Sequence, residues 1–131
     1  MKYLLDTSVW LWSLTASERI RREGRELLAG GRQEIYLSSA SSWEIGIKSA
    51  LGKLRLPEPA VSYVPKRMAA QGIRPLPITH NHALAVSELP FHHNDPFDRL
   101  LIAQALAEGM AILTADRAFR LYAVEIVWCG T

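Results

Sequence analysis

Apolar residues in this chain fall into short runs of four or five, separated by longer stretches with helical spacing. Short runs suit strands buried on both faces, and the longer stretches suit helices that cover them. Lys2–Asp6 reads as a short buried strand, followed by a helix through Val9, Trp10, Leu11 and Trp12. A second helix is predicted over about Ser17–Ala29, ended by Gly30-Gly31. Glu18 and Arg22 sit at helical spacing, and the stripe of Ile20, Leu27 and Leu28 is narrow, which predicts a largely solvated helix with solubilising arginines. Gln33–Ser38 is a second strand with Ile35 and Leu37 on one face. Ser41 then opens a helix with a stripe of Trp43, Ile47, Ala50 and Leu54.

Pro57 and Pro59 mark a loop ahead of a helix near Ala60–Ala70. Gly72 separates that helix from a strand at Ile73–Ile78, which Pro75 and Pro77 confine to an edge or an irregular piece. Thr79–Leu89 is helical up to Pro90, and Asp95–Glu108 is the strongest helix, stopped by Gly109. A strand at 111–115, a short helix near Arg117–Tyr122 and a strand at Val124–Trp128 complete the chain. This alternation predicts an α/β fold with a mainly parallel sheet covered on both faces. With no repeat, low-complexity tract or linker, residues 1–131 are expected to form one domain.

Hydrophobic residues make up 49% of the chain and charged residues 21%, as in soluble globular proteins. Asp6 interrupts the richest apolar stretch, so no run approaches the length of a membrane span. The first residues lack the apolar core and cleavage site of a signal peptide. Cys129 is alone, which excludes an internal disulfide and makes a reducing cytoplasm the expected setting. A net charge of +2 does not announce nucleic-acid binding, although eleven Arg against four Lys favours bidentate phosphate contacts.

The acidic residues change the picture. Asp6 closes the first strand, Asp116 closes the run Ala111–Ala115, and Glu44 and Asp98 fall in the first turns of two helices. Strand ends and helix starts gather at one edge of an α/β sheet. Four carboxylates there repel one another unless a hard cation sits among them, and oxygen-only ligands suit Mg²⁺ or Mn²⁺. Each acid also has a plain structural reading. Asp95 is a good N-cap with Pro96 behind it, and Asp98 then falls at the third helical position of a capping box. Ser41-Ser42-Trp43-Glu44 has the same pattern, with Lys48 one turn on. Asp116 suits a cap beside Arg117. Asp6 has no partner in the local sequence, and buried charges pair or bind metals. The combination of four carries the weight.

Other candidates are weaker. His80, His82, His92 and His93 are too scattered for a zinc set and read as surface or loop residues. Ser38, Ser39, Ser41 and Ser42 look like a turn and cap, and no glycine-rich phosphate loop is present. Core packing is expected for Trp43 and Trp128, whereas Trp10 and Trp12 are candidate partner anchors.

The segments Leu4-Leu5-Asp6-Thr7-Ser8, Ser42-Trp43-Glu44-Ile45, Asp95-Pro96-Phe97-Asp98-Arg99-Leu100-Leu101-Ile102-Ala103 and Leu113-Thr114-Ala115-Asp116 together resemble the PIN-domain family. Within it they are most similar to the VapC toxins of bacterial type II toxin–antitoxin systems. The resemblance spans nearly the whole chain. It implies a three-layer α/β/α domain with a central, mainly parallel sheet of about five strands. It implies Mg²⁺- or Mn²⁺-dependent RNA cleavage, a cognate antitoxin partner and homodimerisation. Asp6, Glu44, Asp98 and Asp116 match the acidic quartet, with Asp6 and Asp98 as direct ligands and Asp95 an alternative to Asp98. Thr7, Ser8 and Thr114 are placed to orient carboxylates or water, and Arg99 and Arg117 to contact phosphate or pair at the surface.

Three other readings stay open from sequence. A phosphatase with Asp6 as nucleophile would want an acid two residues on, where Ser8 stands. A non-catalytic interaction module would use the acids as caps alone. A DNA-directed nuclease fits equally, since nothing in the sequence reads a 2′-hydroxyl.

Overall fold

The computed structural model describes residues 1–31 and 33–131. Strands β1 (Lys2–Leu5), β2 (Glu34–Ser38), β3 (Arg74–Leu76), β4 (Ala111–Thr114) and β5 (Ile126–Trp128) form one sheet in the order β3-β2-β1-β4-β5. Every neighbouring pair is parallel. Helices α1 (Thr7–Thr15), α2 (Arg22–Ala29), α3 (Ser39–Ala50), α4 (Ala60–Gln71), α5 (His80–Ala85) and α6 (Pro96–Glu108) cover it.

Alternate strand residues serve two separate cores. Tyr3, Leu5, Ile35, Leu37 and Leu113 pack on one face with Val9, Trp10, Ile45 and Val64. Leu4, Leu76 and Ile112 pack on the other with Leu101, Ile102 and Ala105 of α6 and with Phe119. Burial on both faces is why the strands read as unbroken apolar runs. The result is the expected α/β/α layering. The edge position of β3 follows from Pro75, which has no N–H for a second neighbour.

Three expected elements differ in detail. The helix predicted over Ser17–Ala29 is broken into a 3-10 turn at Ser17–Arg19 and α2, because Ile20 leaves helical geometry to bury its side chain. The segment after α5 likewise tightens to a 3-10 turn at Val86–Glu88. Helix α3 starts earlier than expected: Ser38 is its N-cap, its hydroxyl accepting from the Ala40 amide at 3.0 Å. Small Ala40 and Ser41 let this helix approach α1, where the Thr7 hydroxyl donates to Ser41 Oγ at 2.8 Å. Its buried face is therefore Ala40, Ser41, Glu44 and Ile45, and Trp43, Ile47 and Ala50 of the predicted stripe turn outward, while Leu54 lies beyond the helix and packs against the core. Trp43, expected in the core, is 62% exposed and meets the Phe97 ring edge-on.

Candidate active site

The chain runs from β1 to β2 and β3 on one side of the sheet, then crosses to β4 and β5 on the other. Connections therefore leave β1 and β4 in opposite directions, which opens a crevice beyond their C-terminal ends. Asp6 follows β1 directly and Asp116 lies two residues beyond β4. Helix α3 leaves the neighbouring strand β2 and carries Glu44; α6 carries Asp98 in its first turn, with Asp95 at its N-cap. All five carboxylates line one cleft of about 620 Å³, together with Thr7, Ser8, Trp12, Lys48 and Arg117.

Each acid meets different neighbours. Asp6 is buried, and its Oδ2 accepts from the Thr114 hydroxyl at 2.9 Å; the Thr114 oxygen in turn accepts from the Asp116 amide at 3.0 Å. Glu44 is buried and receives the Lys48 ammonium at 2.7 Å. It takes no part in a capping box, because Ser38 fills the cap. Asp95 caps α6 as expected, accepting from the amides of Phe97 at 2.9 Å and Asp98 at 3.2 Å. Asp116 also caps, accepting from the Ala118 amide at 2.9 Å. The Asp98 carboxylate accepts no hydrogen bond among the described residues, so capping does not account for it.

This crowding shows in the proton affinities. Burial pushes the Asp98 carboxyl up to about 8, and the charges of Asp6, Asp95, Asp116 and Glu44 add to it. Burial raises Asp6 to about 6; the Thr114 hydroxyl opposes that rise, while Asp116 and Glu44 add to it. Lys48 is held above its ordinary value, chiefly by its hydrogen bond to Glu44. Carboxyls that hold protons near neutrality mark a site short of positive charge. The donor set fits a hard divalent cation in both charge and element. As they stand, no three described acidic, His or Cys side chains converge closely enough to hold an ion. Glu44, Asp95 and Asp116 each turn to a partner of their own, so closure on an ion requires side-chain rotation from fixed backbone positions.

Several sequence candidates lie elsewhere. Arg99 is buried, and its guanidinium donates to the carbonyls of Pro90, Val86 and Leu89 and to the Tyr122 hydroxyl; it neither faces phosphate nor pairs at the surface. His82 is buried rather than on the surface, held between Glu108, Gln104 and the Thr79 amide. Trp10 is fully buried and donates to Gln71 Oε1 at 2.8 Å, so it anchors no partner. Arg19, expected to serve solubility, stacks over Trp12 beside the cleft. Its spacing of seven residues from Trp12 spans a helix break, so periodicity carries no sign of the contact.

The PIN domain model matches residues 3–125, and the chain belongs to that family. Among characterised relatives, the ribonuclease VapC16 of Mycobacterium tuberculosis is 50% identical over 60 residues, which is 46% of this chain and 43% of that protein. The ribonuclease VapC22 of the same organism is 26% identical over 118 residues, covering 89% of this chain and 88% of that protein. VapBC2 from Rickettsia felis, bound to a DNA fragment from its promoter, superposes with a TM-score of 0.75 at 18% identity, covering 98% of this chain and 99% of that one. DNA-bound VapBC from Salmonella typhimurium gives 0.69 at 17% identity, with 97% of each chain covered. No helix among the described residues is long and apolar enough to cross a membrane.

Proposed function

We propose that this protein is a metal-dependent endoribonuclease and the toxin of a toxin–antitoxin pair, working in the cytoplasm. The observation that carries the proposal is the convergence of five carboxylates from four separate elements on one cleft at the sheet's switch point. The names of the ribonuclease relatives support RNA as the substrate. A divalent cation, Mg²⁺ or Mn²⁺, would supply Lewis acidity and lower the pKa of attacking water. Asp6 and Asp98 would hold the principal ion, with Asp95 the alternative to Asp98. Glu44 and Asp116 would support that ion from further out, take a second ion or accept a proton from the attacking water. Thr114 holds the Asp6 carboxylate in one rotamer, and Lys48 and Arg117 offer positive charge to phosphate oxygens. Attack by water with departure of the 3′-oxygen leaves a 5′-phosphate and a 3′-hydroxyl; a 2′,3′-cyclic phosphate product would refute this route.

The protein partner we infer is an antitoxin, as in the VapBC complexes of similar fold. The outward face of α3, with Trp43, Ile47 and Leu51 exposed beside the cleft, is the surface offered to it. Trp10 drops out of that surface because it is buried. A homodimer is the expected assembly. Ile47→Asp should abolish co-purification with the antitoxin, and an unaffected complex moves the interface elsewhere.

The deciding experiment incubates partner-free protein and Asp98→Asn with total RNA and with single-stranded DNA, in Mg²⁺, Mn²⁺ or EDTA. Metal-dependent RNA cleavage that is lost in the variant is the expected result. Cleavage retained by Asp98→Asn moves the ligand to Asp95, and preferential DNA cleavage replaces the substrate. A folded protein inert under every condition leaves the interaction-module reading.

A further inference from the structure

Beyond Trp12 the carboxylate cleft continues into a second groove of about 330 Å³. The two share Trp12, Ala115 and Arg117, so a ligand crosses between them without leaving the surface. Their chemistry is opposite. No acidic side chain lines the second groove; Arg19, Arg117, Trp12, Trp128 and Gly130 do. The Arg19 guanidinium lies 4.4 Å above the Trp12 ring, and that of Arg120 lies 4.0 Å above Trp128. Neither Arg19 nor Arg117 is paired with a carboxylate among the described residues. Gly130 sets the Trp128 ring, since a Cβ there would stand 2.7 Å from the indole Cζ2.

We propose that this groove is the track for the single-stranded RNA nucleotides next to the scissile phosphate. Arg19 and Arg117 take backbone phosphates, and Trp12 and Trp128, with their stacked guanidinium groups, receive unstacked bases. The proposal rests on the nuclease reading and extends it to substrate binding. A polyanion entering a cleft of five carboxylates is repelled along its length except at the bound cation. An adjoining cationic surface offsets that repulsion and holds the strand in register. A guanidinium lying on an indole keeps its N–H groups at the rim, free for phosphate, while its flat face extends the stack. Stacking platforms of this kind select single strands, because duplex bases have no free face.

The test uses the Asp98→Asn protein, in which cleavage is silenced, and a fluorescein-labelled unstructured oligoribonucleotide read by anisotropy across a salt series. Arg19→Ala and Arg117→Ala should each weaken binding by roughly fivefold and lower the slope of log K against log salt by about 0.7. Trp12→Leu, which keeps apolar bulk and removes the ring, should weaken binding by roughly fivefold or more with no change of slope. Arg74→Ala, which deletes the same charge from its pair with Glu34 at the far sheet edge, should bind as the parent does. RNA affinity equal to the parent's in all three groove variants overturns the proposal, as does an equal loss in Arg74→Ala. Cleavage of total RNA by the unmutated protein runs alongside. Cutting with groove-independent binding sinks the groove alone, whereas a protein that neither cuts nor binds RNA removes the nuclease reading and the groove with it.

Discussion

Thr114 donates its hydroxyl proton to Asp6 at 2.9 Å while its oxygen accepts the Asp116 amide. The amide occupies one side of the hydroxyl oxygen and Asp6 takes its proton, so a residue at the end of β4 positions the carboxylate just beyond β1. Thr114→Val keeps the shape and removes both bonds. We expect it to cost about 1–3 kcal/mol of stability and roughly tenfold in cleavage rate. The Asp6 carboxyl should rise further, which moves the acid limb of the pH–rate profile upward. Thr114→Ser should restore both, and an unchanged pH profile in Thr114→Val would show that the hydroxyl is structural only.

Stability without metal should fall as pH rises. The folded-state values of about 6 for Asp6 and about 8 for Asp98 lie above those of an unfolded chain. The folded protein therefore holds more protons between about pH 4 and pH 8, and unfolding free energy decreases with pH across that window. Thermal melts in EDTA should show the highest Tm near pH 4, a decline through pH 8 and a plateau above. Added Mn²⁺ should cancel the decline, because a bound cation replaces the missing protons.

Asp98→Asn removes the carboxyl that holds its proton up to about pH 8, through burial first and its acidic neighbours second. At pH 8 in EDTA this variant should melt at or above the parent temperature while losing metal-dependent cleavage. A marked loss of stability instead would mean that Asp98 serves the helix start.

Lys48 pairs with Glu44, so in the proposed site it would compete with a cation for that carboxylate. The ammonium is half exposed, so its pair contributes under about 1 kcal/mol to folding. Lys48→Ala should bind Mn²⁺ a few-fold more tightly, measured as free Mn²⁺ by electron paramagnetic resonance. RNA affinity should fall in the same variant. Unchanged Mn²⁺ affinity would remove Glu44 from the ion's surroundings.

Gly24 shows how closely α2 lies on the end of β5: a Cβ there would sit 2.6 Å from Cys129 Sγ. Gly24→Ala should destabilise by about 1–3 kcal/mol through overpacking. Cys129→Ala in the same chain should recover most of that loss, since the remaining Cβ would be 3.7 Å away. Chemical denaturation of the three variants measures the coupling.

The parts legible in the sequence were those decided locally. The Asp95 cap, the ends of α6 and the edge position of β3 each follow from a few adjacent residues. Asp6, Glu44, Asp98 and Asp116 could be named because each borders an apolar run, and Asp95 because the Asp-Pro-Phe-Asp signature offers a second acid. What was hidden depends on contacts between distant segments. Small Ala40 and Ser41 rotate α3 and turn Trp43 outward, although Trp43 looks like core by composition. Arg99 reads as a surface charge until Tyr122 and three loop carbonyls fold around it. The strand order that opens the cleft between β1 and β4 has no local signature at all.

That strand order also bears on how the protein is made. Asp6 is synthesised 108 residues ahead of Thr114, whose hydroxyl orients it from the far side of the switch point. Until β4 has docked beside β1, the cleft lacks one wall and Asp6 lacks its partner. The site thus closes only after β4 has been made, and a chain that still lacks this strand lacks the wall on which Thr114 and Asp116 stand.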